Sequence, residues 1–168
     1  MARYSASFQN QTSVATADTT SLVNLKFMGL QGGTSTMQMK VNEVQSGGEA
    51  SSSAIVSYAF GRSSTVGGSS QTLSGAYLAL LDATGTAPAT APLAYNTTSG
   101  TAPQRSATLG HLIQHSYNAF GGLVRWQARQ GEEITVLGNT ASLGEVTYSG
   151  EGNCAATSLS GHILFEVV

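Results

Sequence analysis

The side chains able to do chemistry in this chain are few: three histidines, one cysteine and nine carboxylates in 168 residues. His111 and His115 stand in an H-x-x-x-H spacing, which brings two imidazoles to one metal only on a helix. The run His111-Leu112-Ile113-Gln114-His115-Ser116-Tyr117 alternates as a strand does. Positions i and i+4 of a strand share a face but lie about 13 Å apart. No glutamate follows His111, and no third ligand is close in sequence. The expectation is two imidazoles hydrogen-bonded on a half-buried sheet face, with no metal and no cofactor.

Nucleophilic catalysis finds no better support. There is no G-x-S-x-G elbow, and the only aspartates, Asp18 and Asp82, lie in turn-like contexts. With 41 serine and threonine hydroxyls in the chain, a Ser–His contact arises readily by chance. Cys154 sits in Gly152-Asn153-Cys154-Ala155, where nothing lowers its pKa toward a reactive thiolate. Gly150-Glu151-Gly152-Asn153-Cys154-Ala155 spells a dinucleotide-binding pattern in letters, but no helix follows it, so it reads as a turn. Glu132 and Glu133 are adjacent and therefore point to opposite faces of a strand, unsuited to paired acid–base work. Neither lysine follows glycine as a phosphate-binding loop requires. The sequons at Asn10 and Asn96 carry little meaning without a secretory signal. The chain is expected to have no catalytic residues.

The elements that would position these groups are strands. Helix formers such as Glu, Lys and Arg are scarce, and Val, Ile, Thr, Tyr and Gly are frequent. Tyr4, Ala6 and Phe8 alternate with polar neighbours, as do Met37, Met39 and Val41, and Val56, Tyr58 and Phe60. Further strands are expected within 22–30, 111–117, 123–127, 133–137, 145–148 and 158–168, and the unalternating apolar run 77–81 reads as either a buried strand or a helical turn. Gly32-Gly33, Gly47-Gly48, Gly67-Gly68, Gly121-Gly122 and Gly138-Asn139 separate the runs and offer the positive φ of tight turns. Eight to ten short strands with such turns predict an all-β fold: a single antiparallel β-sandwich domain over 1–168, of jelly-roll type. No fixed-period repeat is present.

One stretch departs from this rhythm. From Asp82 to Leu109 the chain is almost wholly Ala, Thr, Gly, Ser and Pro, interrupted by Leu93-Ala94-Tyr95. It holds all three prolines, Pro88, Pro92 and Pro103. Connections beyond about 12–15 residues tend to be functional or disordered. The stretch is expected to be a long loop or arm that orders on a neighbouring subunit, with Leu93 and Tyr95 as apolar anchors and the prolines limiting the entropy lost.

Composition narrows the function classes. Seven Lys and Arg against nine Asp and Glu give a net charge of −2, and charged residues are only 10% of the chain. An ordinary soluble domain carries about 25%. Two lysines and five scattered arginines make no phosphate-binding patch, so direct nucleic-acid binding is not expected. No apolar run reaches the 18 residues of a membrane helix, and no membrane partner is expected. A lone cysteine forms no intrachain disulfide. The opening Met1-Ala2-Arg3-Tyr4-Ser5 lacks a charged region leading into an apolar one, so synthesis in a cytoplasm is the expectation. Ser, Thr and Gly, 61 residues together, leave a neutral surface whose small side chains desolvate cheaply. Such a surface suits a protein packed against copies of itself or a larger assembly.

Three stretches carry a resemblance. They are Arg3-Tyr4-Ser5-Ala6-Ser7-Phe8, then Trp126-Gln127-Ala128-Arg129-Gln130-Gly131-Glu132-Glu133-Ile134-Thr135-Val136, and finally Ser160-Gly161-His162-Ile163-Leu164-Phe165-Glu166. With the strand rhythm they cover most of the chain, which resembles the small jelly-roll decoration, or cement, proteins on the outside of tailed-bacteriophage heads. The resemblance implies a non-enzymatic structural protein, often trimeric, that bridges capsomers. Its partners would be the major capsid protein and other copies of itself, and its place the outer capsid surface. It assigns no contact residue, and the 82–109 stretch departs from it. Two alternatives stay open: a small coat, fibre or tail subunit, and a carbohydrate-binding β-sandwich module. The coat reading lacks the basic N-terminal arm that genome packaging favours, since Arg3 is the only cation before Lys26. The sugar-binding reading has only Trp126, Tyr95 and Tyr148 to offer as stacking surfaces.

Overall fold

The computed structural model describes residues 1–12, 27–32, 34–65, 69–71, 78–82, 84–85, 93–96, 104–105, 111–136, 144–149 and 157–168. Among them are thirteen strands and no helix. In chain order these are β1 (Ala2–Thr12), β2 (Phe27–Gln31), β3 (Met39–Gly48), β4 (Ile55–Thr65), β5 (Ser69–Gln71), β6 (Leu78–Leu80) and β7 (Leu93–Asn96). Then follow β8 (Gln104–Arg105), β9 (His111–Asn118), β10 (Leu123–Gln127), β11 (Ile134–Val136), β12 (Gly144–Ser149) and β13 (Ser158–Val167).

They form two antiparallel sheets. The first, sheet A, runs β10-β3-β13-β1-β6, with β11 also paired to β3. The second, sheet B, runs β5-β7-β2-β12-β4-β8, with β9 also paired to β4. The all-β, sandwich-like class expected from the alternating pattern is therefore the one observed. One core joins the sheets. Tyr4, Ala6, Met39, Val41, Val44, Leu78, Val136, Ile163 and Phe165 come from sheet A, and Leu30, Tyr58, Phe60 and Ile113 from sheet B. Tyr4 and Phe165 are cross-strand partners whose rings stack with centroids 5.5 Å apart. Polar links also cross between the layers. Tyr117 Oη and Ser46 Oγ lie 2.5 Å apart, and Arg62 Nη2 donates to the Thr135 carbonyl at 3.3 Å.

Two expectations are corrected. The Asp82–Leu109 stretch is not one uninterrupted arm, because it contains β7 and β8. Leu93 and Tyr95 lie in β7, which pairs with β2 through Gln31–Leu93 and Gly29–Tyr95 and also with β5. The apolar interruption thus belongs to the chain's own sheet B, where backbone pairing gives it a place. Pro88, Pro92, Pro103 and Cys154 lie outside the described residues. Glycine is the second correction. Among the described glycines only Gly121 (φ 72°) and Gly131 (φ 87°) are left-handed. Gly48 and Gly122 are needed for close approach instead. A Cβ at Gly48 would sit 2.1 Å from the Ala119 carbonyl oxygen, and one at Gly122 2.0 Å from that of Asn118.

Candidate functional site

A polar cluster grows out of an irregularity in β3. Leu164 of β13 stands opposite Glu43, but the next residue, Phe165, stands opposite Val41. Asn42 is the extra residue of a β-bulge. Before it Met39 and Val41 enter the core; after it Val44 and Ser46 are the buried positions. The parity change leaves Glu43 on the face of sheet A away from the core, between Gln127 of β10 and Leu164 of β13.

Glu43 is nevertheless buried, its side chain only 7% exposed. Arg125 Nη2 donates to Oε2 at 2.5 Å, and His162 Nε2 lies 2.8 Å from Oε1. Arg125 and His162 both stand opposite Gln45, one on β10 and one on β13, so the carboxylate fastens three neighbouring strands. Burial pushes the Glu43 pKa up, but hydrogen bonds from Arg125 and His162, aided by their charges, outweigh it and hold the carboxyl below its ordinary value. A carboxylate kept ionised with both oxygens engaged accepts protons poorly. This arrangement clamps strands.

The histidines singled out from sequence are separated by the fold. His115 faces Tyr58 and His111 faces Gly61, with a register shift at Leu112 between them. The shared face expected from regular spacing does not hold across that shift. His115 Nε2 is buried without a hydrogen-bond partner among the described residues, contrary to the expected satisfied imidazole, and burial lowers its pKa. No group of three His, Cys, Asp or Glu able to hold a metal occurs among the described residues. Glu132 and Glu133 lie on the turn between β10 and β11. Glu133 Oε1 accepts from the Gly131 amide at 2.9 Å, and that bond lowers its pKa. Trp126 packs against the core edge, which removes it as an exposed stacking surface.

A different surface emerges along β9. Leu112, Gln114, Ser116 and Asn118 are exposed in alternation, and the stripe continues past the strand to Phe120. None carries a formal charge, and no Lys, Arg, Asp or Glu occurs from Leu112 to Val124. Sequence reasoning missed both this stripe and Glu43. The signal for Glu43 was a charge inside an otherwise regular strand pattern. For the stripe it was an uncharged alternation ending in an aromatic beside Gly121-Gly122. The chain matches no protein-family model, no curated protein and no solved structure.

Proposed function

We propose that this chain is a non-enzymatic virion structural protein that decorates and stabilises the outside of a bacteriophage capsid, bridging capsomers as a homotrimer. The observation carrying the reading is the neutral exposed stripe Leu112–Phe120 on a chain with only 10% charged residues. A free monomer normally keeps interspersed charge on such a surface. A surface of small amides and hydroxyls beside apolar side chains is cheaper to dehydrate and suits permanent packing against a partner.

Strand order supports the jelly-roll part of the reading. Leaving aside the short strands β5, β6, β7, β8 and β11, eight remain. Counted in chain order, they pair as first-eighth-third-sixth in sheet A and second-seventh-fourth-fifth in sheet B. That is the order of two interlocked Greek keys in a jelly roll. The partner would be the major capsid protein, and the protein would be made in the host cytoplasm and reside on the outer capsid surface.

The test is reconstitution. Purified protein is added to expanded, DNA-filled heads that lack it, and binding and heat resistance of the heads are measured. Saturable binding with a raised disruption temperature is expected. Heads that neither bind the protein nor gain heat resistance would refute the proposal.

A further inference from the structure

Among the described strands, β9 is paired on one side only, with β4. Its two halves are fastened unequally. In the C-terminal half Tyr117 Oη lies 2.5 Å from Ser46 Oγ of sheet A. Asn118 Oδ1 accepts from the Ala54 amide at 3.2 Å and the Phe120 amide at 3.0 Å, and its Nδ2 donates to Ser53 Oγ at 2.9 Å. Just past the strand, Ala119 is fully buried with Val56 and Leu159, and its amide donates to the Ala54 carbonyl at 2.7 Å. The N-terminal half, 111–115, begins at a register shift against Phe60 and Gly61 and sends Ile113 into the core.

His115 stands between the halves. It shares a face with Ile113 and Tyr117, which both meet the core, and it lies opposite Tyr58. Its Nε2 is buried without a hydrogen-bond partner. A proton taken up there would create a charged N–H donor with no acceptor. Among the described residues, the packed elements bring few titratable or charged groups to this face. From β4 they are Tyr58 and Arg62, the latter donating to the Thr135 carbonyl. From β9 it is Tyr117, with His111 across the register shift. β10 turns Trp126 to the core, and β3 brings Ser46. Glu43 of β3 is on the far side of sheet A, engaged by Arg125 and His162. No carboxylate faces His115.

We infer that His115 is an acid-operated catch: when it is protonated, the 111–115 half of β9 detaches from β4 and the core, hinged at Tyr117–Ala119, while the rest of the sandwich stays folded. The inference does not depend on the decoration reading. Detachment lets water solvate the imidazolium. It breaks pairing on one side and uncovers Ile113, since Leu112 and Gln114 are exposed already. Local openings of this kind cost less than global unfolding. Burial lowers the His115 pKa, as befits a group that charges on release. The attached strand is the form that binds fewer protons, so opening is favoured as pH falls below the ordinary histidine value, by up to about tenfold per pH unit.

Amide hydrogen exchange, corrected for its intrinsic pH dependence and followed by mass spectrometry at about pH 7.5 and about pH 5, tests this. The parent is compared with His115→Phe, His115→Gln and His162→Gln. In the parent, protection of 111–115 should fall about tenfold or more at the lower pH, while 123–127 and 158–167 keep theirs. Neither His115 variant can charge, so neither should show the pH-dependent loss. His162→Gln, which alters the histidine on Glu43, should behave as the parent does. If the larger Phe disrupts the strand, His115→Gln decides. The inference is overturned if 111–115 keeps its protection in acid, if it loses it together with both sheets, or if the selective loss persists in His115→Gln.

Discussion

Two of the long inner strands, β3 and β4, solve the same problem in opposite ways. Each sends one row of side chains into the shared core. On its other side β3 carries Lys40, Glu43 and Gln45, and the buried Glu43 is neutralised by Arg125 and His162. Between Val56, Tyr58 and Phe60, β4 carries Ser57, Ala59 and Gly61, and all six positions are buried. Alternate residues of a strand face opposite sides, so β4 is closed off on both. Sheet A thus meets its surroundings through ion pairs, and the middle of sheet B through small side chains that admit close packing. The outward side of β3 tolerates a charge, and positions 56–61 of β4 hold none, the strand's Arg62 lying just beyond them.

The largest expected effect follows directly. Ala59→Asp places an unpaired carboxylate in a position 1% exposed, at a cost of about 4 kcal/mol or more. Gln45→Glu, on the outward side of β3 opposite both Arg125 and His162, should change stability by less than about 0.5 kcal/mol. Urea unfolding followed by circular dichroism measures both. Equal losses in the two variants would show that the strands do not differ in this way.

Glu43 gives the next test. Glu43→Gln keeps the shape but removes the charge that Arg125 and His162 engage, and should cost about 1–2 kcal/mol near neutral pH. Because the folded-state pKa is lowered, the carboxyl's contribution is complete above the ordinary glutamate value. It is lost as pH falls through the folded-state value. The acid side of the parent's stability–pH curve should therefore be steeper than that of Glu43→Gln. Solvent around the half-exposed Arg125 limits the difference. Identical slopes would mean that the clamp contributes nothing.

How much of this could be read from the sequence depends on which feature is asked about. Period-two alternation in Tyr4-Ala6, Val56-Tyr58-Phe60 and Ile113-His115-Tyr117 places strands correctly, because one side of each meets the core. A bulge has no such signature. Asn42 shifts the parity of β3 by one residue, and only the register with β13 reveals that Glu43 leaves the core side. The strands β5, β7 and β8 escaped notice because Ser-Ser-Gln, Leu-Ala-Tyr-Asn and Gln-Arg are too short to show a period. Their pairing is supplied by β2 and β4. Phe120 was hidden for another reason: an aromatic inside a glycine turn reads as connection, and its exposure depends on Asn118 bonding to Ala54 and Ser53, more than sixty residues away.

His115 separates the two sheets by pH in a second window. Its side chain faces Tyr58 of β4, and burial alone depresses its pKa. A depressed histidine contributes fully above the ordinary histidine value and loses that contribution as pH falls toward the lowered one. His115→Phe should therefore flatten the stability curve in that interval, which lies above the range in which Glu43 titrates. Thermal unfolding at closely spaced pH values resolves the two. If His115→Phe leaves the curve unchanged in that interval, the buried Nε2 is not protonated on unfolding.

A smaller effect is expected of Arg125→Ala, and its size relative to Glu43→Gln sharpens the account of sheet A. Arg125 is 52% exposed and supplies one of two partners to a carboxylate that is almost wholly buried. Its removal gives an exposed end of the ion pair back to water and leaves His162 on Oε1. Such exposed pairs contribute little, and salt screens them. The variant should lose less than Glu43→Gln at low ionic strength and still less in concentrated salt. In the Arg125→Ala background, Glu43→Gln should cost less than it does in the parent, by the coupling energy of the pair. Additive losses in that cycle, measured by urea unfolding at two salt concentrations, would show that Glu43 is held by His162 and its place between β10 and β13, with Arg125 a bystander.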